Sequence, residues 1–159
     1  MPRSSVVTTI AMRVSTRRAE SVSLAGRDAI RRAALGPLLR RCGDALAVAP
    51  RVALGLLLTD DEELRDLNLR FLGVDAPTDV LAFPAHEPDR AGDIAISVER
   101  ALAQGGGDGA PELRLLAVHG LLHCLGYDHA ATDGAASMTA ATRALLPDQA
   151  VADLEAPPD

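Results

Sequence analysis

Three of the four histidines lie within one eleven-residue window, from His119 to His129. His119 and His123 are four positions apart, so on a helix their rings lie on one face about one turn apart. Gly126 follows the last residue of the helical apolar pattern, where glycine commonly caps a helix in the left-handed conformation. Such a cap reverses the chain and returns His129 toward the other two rings. The window therefore requires a helix, a tight turn and a short return segment around one site.

Three imidazole ligands with a fourth position left open are typical of a catalytic zinc site rather than a structural one. We therefore predict that His119, His123 and His129 bind one Zn²⁺ ion. Nickel, copper and iron are chemically possible with the same ligands. A metal in this setting activates water near neutral pH. Asp128, beside the third histidine, is a weak candidate for a catalytic group and is equally well explained as a turn residue.

The histidine spacing also occurs in the metzincin peptidases, which carry a glutamate directly after the first histidine. That glutamate accepts the proton of the attacking water. Here the position is occupied by Gly120, so a peptidase is the least favoured of the possible functions. Met138 could pack beneath the metal as the methionine of those enzymes does, but on a helix it is more simply a core residue.

Composition places the chain among globular proteins of one domain. It has 159 residues, of which 48% are hydrophobic and 24% are charged. We predict a domain over residues 1–146 and a disordered acidic tail over 147–159. Only 2% of the residues are aromatic and there is no tryptophan, which argues against a base-stacking platform. Two distant cysteines, no apolar leader and no stretch long enough to span a membrane indicate a cytoplasmic protein.

The charge is unevenly distributed along the chain. The net charge is −6, yet residues 1–51 contain ten arginines and three acids, giving +7, and the remainder contains six arginines and nineteen acids, giving −13. A positive segment on an acidic chain is a candidate surface for phosphate groups. The net charge itself argues against general nucleic-acid binding, but within the positive segment we predict that Arg31 and Arg32, together with Arg27, contact phosphate groups of the substrate.

The apolar pattern predicts an α+β fold with a mixed sheet of about four strands covered by helices. The strands are expected at residues 6–14, 51–58, 78–83 and 92–96. The helices are expected at 24–48 with a break at Gly36-Pro37, at 59–70 with Thr59 as the cap, in a short segment that begins after Ser97 as the cap, at 111–125 and at 133–146. The helix over 111–125 carries the first two histidines, in the manner of the zincin metal helix.

Three segments in order resemble the YbeY family of bacterial rRNA maturation factors. The family motif H-G-x-L-H-x-x-G-Y-D-H matches residues 119–129 at every specified position. Residues 67–84 are similar to the family segment L-N-x-x-Y/F-R-x-x-D-x-P-T-D-V-L-S-F-P, and residues 92–97 to the family strand G-D-I-x-I-S. Together the similar region covers about residues 55–146.

The resemblance implies a metal-dependent endoribonuclease, specific for single strands, that acts in 16S rRNA maturation and ribosome quality control. It implies zinc on the three histidines and partners on the small ribosomal subunit, including its assembly factors. Two positions differ. The usual serine of the strand is Ala82 here, which is the milder change, and the usual arginine after the aromatic residue is Leu72. Arg70 could contact the substrate in its place only if the segment has left the helix at that point. Leu72 leaves open a non-catalytic, metal-stabilised ribosome assembly factor as the alternative.

Overall fold

The computed structural model describes residues 12–130 and 132–154. Within them, four strands form one mixed sheet in the spatial order β1-β2-β4-β3. β1 pairs with β2 and β2 with β4 in parallel, whereas β3 and β4 are antiparallel. The strands are β1 (Arg13–Arg18), β2 (Ala53–Thr59), β3 (Val80–Pro84) and β4 (Arg90–Ser97).

Helices connect the parallel strands and cover the sheet, which confirms the predicted α+β class. A parallel pair needs a crossover connection, and helices supply it between β1 and β2. The helices are α1 (Leu24–Ala33), α2 (Leu35–Ala45), α3 (Asp61–Leu72), α4 (Val98–Gln104), α5 (Gly109–Cys124) and α6 (Thr132–Leu145).

The side-chain alternation of the strands separates two apolar clusters of unequal size. Alternate residues of β2, among them Leu54 and Leu58, point into the main core with α1, α2, α5 and α6. On the other face, Leu64 of α3 packs with Leu81 and Ala95 in a small second cluster. α5 is buried along most of its length because the sheet and four other helices surround it. A helix held in this way is a rigid support for side chains near its end.

The first strand and the first helical region differ from the predictions. β1 extends to Arg18, four residues beyond the predicted end, and residues 6–11 lie outside the described residues. The helix break falls at Ala34, whose φ of 48° is left-handed, and not at Gly36-Pro37. Pro37 is tolerated as the third residue of α2, because the first N–H groups of a helix have no intrahelical partner.

The start of α3 also differs by one residue. Asp60 is the cap, since its carboxylate accepts the N–H of Glu63 at 2.8 Å. Thr59 remains in β2 and donates its hydroxyl to the Glu63 carboxylate at 2.5 Å. The helix continues past the predicted end at Arg70 and stops at Gly73, where φ is 70°. By contrast, Ser97 caps α4 as predicted, by accepting the N–H of Arg100 at 3.3 Å.

The segment after α6 forms hydrogen bonds as far as the structure describes it, while the disordered tail over 147–159 stays a prediction. Gln149 donates to the carbonyl of Pro111 at 3.0 Å. The N–H of Leu154 donates to the Thr139 hydroxyl at 3.0 Å. Arg143 donates to the carbonyl of Val151 at 2.9 Å. These hydrogen bonds hold residues 147–154 against α5 and α6.

Among the helices of the described residues, none combines the length and apolar character that a membrane span requires.

Candidate metal centre

The end of α5 forms the left-handed cap that the sequence predicts. Gly126 has a φ of 97°, which is unfavourable for residues with a side chain. Its N–H donates to the carbonyl of His123 at 3.0 Å, and the N–H of Tyr127 donates to that of Leu122 at 3.0 Å. This pair of bonds is the Schellman arrangement. It reverses the chain immediately after the helix and carries His129 back over the last turn.

The three histidine rings meet at this point. The ring centroids of His119 and His123 are 4.6 Å apart, and that of His129 lies 5.4 Å and 5.0 Å from them. One nitrogen of each ring can be chosen so that all three lie within 4.8 Å of one another. The Nε2 atoms of His119 and His123 are 3.1 Å apart. This convergence gives three nitrogen donors that could hold one metal ion.

The donor set fits a tetrahedral metal ion in spacing and in chemistry. Two imidazole nitrogens bound to one tetrahedral zinc at 2.0–2.1 Å lie about 3.3 Å apart, close to the Nε2 separation of His119 and His123. In addition, Nδ1 of His129 is buried and has no hydrogen-bond partner among the described residues. Buried polar atoms are normally satisfied, so an unpaired nitrogen beside two others favours a bound ligand. The three residues therefore suit a divalent cation with a fourth position left open.

The protonation state also favours metal binding. Burial, followed by the proximity of His123 and His129, lowers the pKa of His119 to about 4. Burial and the proximity of His129 lower the pKa of His123 in the same direction. At neutral pH these two imidazoles are therefore neutral, which is the form that offers a lone pair to a metal.

Asp128 lies at the surface beside this centre. Its carboxylate accepts the N–H of Ala130 at 3.0 Å, two residues further along the chain. This hydrogen bond is typical of an aspartate in a turn. Asp128 also acts on the centre through its charge, since it opposes the lowering of the pKa of His123.

The position of Gly120 explains why the metzincin glutamate is missing. A Cβ atom there would lie 2.6 Å from Cγ2 of Ile94, on the strand beneath α5. A residue with a side chain at this position would therefore require α5 or Ile94 to shift. A glutamate at this position would point into the sheet and not toward the histidines.

Met138, the residue compared above with the metzincin methionine, is fully buried in the main core.

Sequence comparison assigns the chain to a family. The profile of the family described as endoribonuclease YbeY matches residues 23–149. The chain belongs to the endoribonuclease YbeY family. An endoribonuclease YbeY of Moorella thermoacetica is 44% identical over 128 residues, which are 70% of this chain and 82% of that protein. One from a Roseiflexus species is 49% identical over 96 residues, 52% of this chain and 60% of that protein.

A solved structure is similar in fold. The solution structure of TM1509 from Thermotoga maritima matches with a TM-score of 0.53. The match covers 86% of this chain and 90% of that one, at 23% sequence identity. The similarity extends over nearly the whole of both chains, so it supports the α+β architecture described above.

The arginines predicted to bind substrate are engaged in local contacts. Arg31 and Arg32 both form ion pairs with Asp28, and Arg32 also pairs with Asp108 at 2.8 Å. Asp108 caps the start of α5, whereas His119 lies eleven residues further along, roughly 16 Å at 1.5 Å per residue. Arg27 donates to the backbone carbonyls of Val22 and Glu20. Arg31 and Arg32 therefore lie near the other end of α5 from the histidines.

Arg70 and Leu72 both lie in the last turn of α3. Arg70 is still helical, pairs with Asp66 at 3.4 Å and stacks over the ring of Phe71 at 5.5 Å. The segment has therefore not left the helix, which was the condition for Arg70 to take the place of the usual arginine. Leu72 is 58% exposed, so the YbeY position that usually holds an arginine presents an apolar surface here.

Two acidic residues beside His119 were not predicted from the sequence. Asp79 and Glu112 line a cavity of about 230 Å³ together with His119, and the third acid of its lining, Asp153, is paired with Arg143. Burial, and then the charge of Asp79, raise the pKa of Glu112. Glu112 precedes His119 by seven residues, which is two helical turns on one face. That spacing is a signal in the sequence for Glu112, whereas Asp79 enters the site only through the position of β3.

Proposed function

We propose that this chain is a zinc-dependent endoribonuclease that cleaves single-stranded rRNA in 16S rRNA maturation and ribosome quality control. The observation that carries the proposal is the convergence of three histidine nitrogens within 4.8 Å at the end of α5. Its membership of a family named for an endoribonuclease supports the reaction class. The two histidines with lowered pKa values are ready to bind metal without first losing a proton.

Zinc is the preferred ion because three neutral imidazoles in a compact site suit tetrahedral coordination. When bound, it supplies a Lewis acid for a phosphoryl oxygen and lowers the pKa of a water molecule. His119, His123 and His129 hold it. Asp128 is a weaker candidate for a proton-transfer role, because its carboxylate already accepts the N–H of Ala130.

Glu112 is a stronger candidate for holding a proton near the metal. It lines the cavity beside His119, and its raised pKa means that it takes up a proton closer to neutral pH than an ordinary glutamate. Catalytic acids and bases work best when their pKa lies near the operating pH. Arg70, Arg31 and Arg32 remain candidates for contacts with the RNA backbone, but each must exchange an existing carboxylate partner for phosphate.

We place the protein in the cytoplasm, with the small ribosomal subunit and its assembly factors as partners. Cys42 and Cys124 are free and buried. Burial raises the pKa of the first thiol to about 11 and of the second to about 12, so neither forms a reactive thiolate at neutral pH. Free thiols of this kind agree with a reducing compartment.

The test combines elemental analysis with cleavage of single-stranded rRNA fragments by purified protein. His123→Ala should lose both bound metal and cleavage, because two remaining imidazoles cannot complete the site. His86→Gln is the matched control, since His86 is exposed and lies outside the histidine window. It should retain both properties. Cleavage by His123→Ala at the wild-type rate would refute the mechanism, and stoichiometric iron or nickel without zinc would refute the choice of metal.

A second candidate function is favoured by the exposed Leu72. Without an arginine at that position, the metal would hold the return segment of His129 against α5, and the protein would assist ribosome assembly without cutting RNA. In that case the zinc-loaded wild-type protein would cleave no faster than His123→Ala. Association with small ribosomal subunits would nevertheless depend on the metal.

A further inference from the structure

A second cavity lies at the opposite end of α5 from the histidines. It has a volume of about 560 Å³ and is walled by α1, α2, the first turns of α5 and the segment that follows α6. Three arginines line it, one from each helix, namely Arg32, Arg41 and Arg114. Arg114 precedes His119 by five residues, so the two side chains point about 140° apart around the helix. The cavity is therefore separate from the candidate metal centre.

Two of the three guanidinium groups have no partner of opposite charge. Within the part of the chain that the structure describes, Arg41 and Arg114 form neither a salt bridge nor a side-chain hydrogen bond. Seven of the thirteen other arginines in the described residues form a salt bridge, among them Arg32 with Asp28 and Asp108. Two unpaired positive charges that face one cavity repel each other, and an anion between them removes that cost.

Arg114 gives an independent indication of a missing ligand. Its Nε atom is buried and has no hydrogen-bond partner among the described residues. Burying a charged donor without an acceptor is costly, and buried side-chain donors are rarely left unpaired. The planar guanidinium is matched to the oxygens of phosphate, to which it can donate two parallel hydrogen bonds.

The floor of the cavity is apolar. Leu38, Cys42 and Leu146 are buried and line it beneath the arginines. The positive charges of Arg41 and Arg114 both act on the Cys42 thiol, where they oppose the rise of its pKa caused by burial. Both guanidinium groups are therefore near the same point of the floor. A volume of this size lies within the range of about 300–1,000 Å³ found for small-ligand sites.

We propose that this cavity binds a terminal phosphate or diphosphate group through Arg41 and Arg114, with Arg32 at its edge. A terminal phosphate carries more charge than an internal phosphodiester, and a concave site accommodates the end of a molecule better than the middle of a chain. The group can be carried by a free nucleotide or by the 5′ end of an RNA. The site is independent of the proposed nuclease activity and of its metal.

One acidic residue without a salt bridge among the described residues lines the same cavity and allows a test with the opposite expected effect. Asp148 forms no salt bridge with any described residue, so its negative charge opposes an incoming anion. Asp108, in contrast, is neutralised by its ion pair with Arg32. Removing the charge of Asp148 should therefore strengthen phosphate binding, whereas removing the charge of Arg41 or Arg114 should weaken it.

Calorimetric titration of the full chain with inorganic pyrophosphate at low salt tests the site. Arg41→Gln and Arg114→Gln should each weaken binding about tenfold, as expected for the loss of a charge-assisted hydrogen bond. Asp148→Asn should tighten it. Arg40→Gln is the matched control, because Arg40 lies next to Arg41 on α2 but outside the cavity lining, near Gly36. Thermal melts monitor folding, and Arg41→Gln, which changes an exposed side chain, keeps the test valid if Arg114→Gln unfolds.

Two further titrations identify the source of the phosphate. A short RNA with a 5′-phosphate that binds more tightly than the same RNA with a 5′-hydroxyl assigns the site to RNA ends. Binding of AMP or ADP with no preference between those two RNAs assigns it to free nucleotides. The absence of binding by pyrophosphate, nucleotide and RNA end would overturn the proposal, as would equal affinities of wild type and the Arg41→Gln variant. His123→Ala should bind pyrophosphate like the wild type, which separates this result from the nuclease test.

Discussion

The two ends of α5 carry side chains suited to ligands of opposite charge, a cation at one end and an anion at the other. At its end, His119 and His123 are held neutral by burial and present lone pairs to a cation. At its start, Arg114 presents a permanent positive charge to a cavity with one other unpaired guanidinium. Burial on its remaining sides keeps the helix from adjusting to either ligand. One core helix therefore carries the candidate metal ligands near its end and the proposed anion-binding arginine near its start.

The two sites should respond differently to pH, and this is the largest effect we expect. The pKa of His119 is about 4 in the folded chain, against 6.5 for an ordinary histidine. Between about pH 6.5 and pH 4 the unfolded chain binds a proton at His119 that the folded chain does not bind. The contribution of His119 to the free energy of unfolding is therefore complete only above about pH 6.5. In metal-free protein, this contribution to the free energy of unfolding should decline as the pH falls from about 6.5 to about 4. The loss is roughly 3 kcal/mol for His119, and His123 adds to it.

Urea unfolding in the presence of a chelator measures this dependence. The His119→Gln variant should show a flatter change of the free energy of unfolding across that range, and His86→Gln should follow the wild type. The raised pKa of Glu112 acts in the opposite sense and offsets part of the loss at the acidic end. The arginine cavity should contribute nothing, because guanidinium groups keep their charge throughout. An unchanged slope in His119→Gln would show that the imidazole is not buried in its neutral form.

The contrast between the two sites also explains what could be predicted from the sequence. The histidine centre is local, because a helical spacing of four, a capping glycine and a short return fix it within eleven residues. The arginine cavity brings together residues from α1, α2, α5 and the segment after α6. No periodicity relates Arg41 to Arg114. Sequence reasoning therefore selected Arg31 and Arg32 from the positive segment, and the structure pairs both of them with Asp28.

In the fold, too, local features could be predicted from the sequence and features set by tertiary contacts could not. β1 lies further along the chain than its composition predicts, whereas the strands β2, β3 and β4 and the cap at Ser97 follow from apolar composition and local side-chain chemistry. The break between α1 and α2 does not, since an alanine in the left-handed conformation is held by its surroundings and not by its own preference. The hydrogen bonds of residues 147–154 likewise depend on tertiary contacts, which an acidic composition does not reveal.

A second expected effect, of intermediate size, is local to the histidine end. Gly120→Ala would place a Cβ atom 2.6 Å from Ile94, inside a packed interface. Overpacking of this kind costs typically 1–3 kcal/mol, and the better helix propensity of alanine returns about 1 kcal/mol. We expect a net loss of up to about 2 kcal/mol in the free energy of unfolding, and weaker zinc binding, because α5 must shift away from β4.

Gly36→Ala is the matched substitution elsewhere. Gly36 is also helical, and its nearest neighbour is the flexible end of Arg40 at 3.4 Å. It should gain up to about 1 kcal/mol from helix propensity. Denaturant unfolding of both variants, with zinc titration of Gly120→Ala, measures the two effects. The same sign of change in both would mean that the contact between α5 and β4 does not constrain the centre.

The smallest expected effect concerns the arginine end and separates paired from unpaired guanidinium groups. Arg31 is exposed and forms an ion pair with Asp28 on the same helix. An arginine that contacts phosphate contributes about 1 to the salt dependence of RNA affinity. Because Arg31 must first give up its carboxylate partner, we expect Arg31→Gln to lower that slope by less than about 1 in a fluorescence titration of single-stranded RNA. A slope lowered by about 1 would restore Arg31 as an RNA contact and extend the anion-binding surface from the cavity along α1.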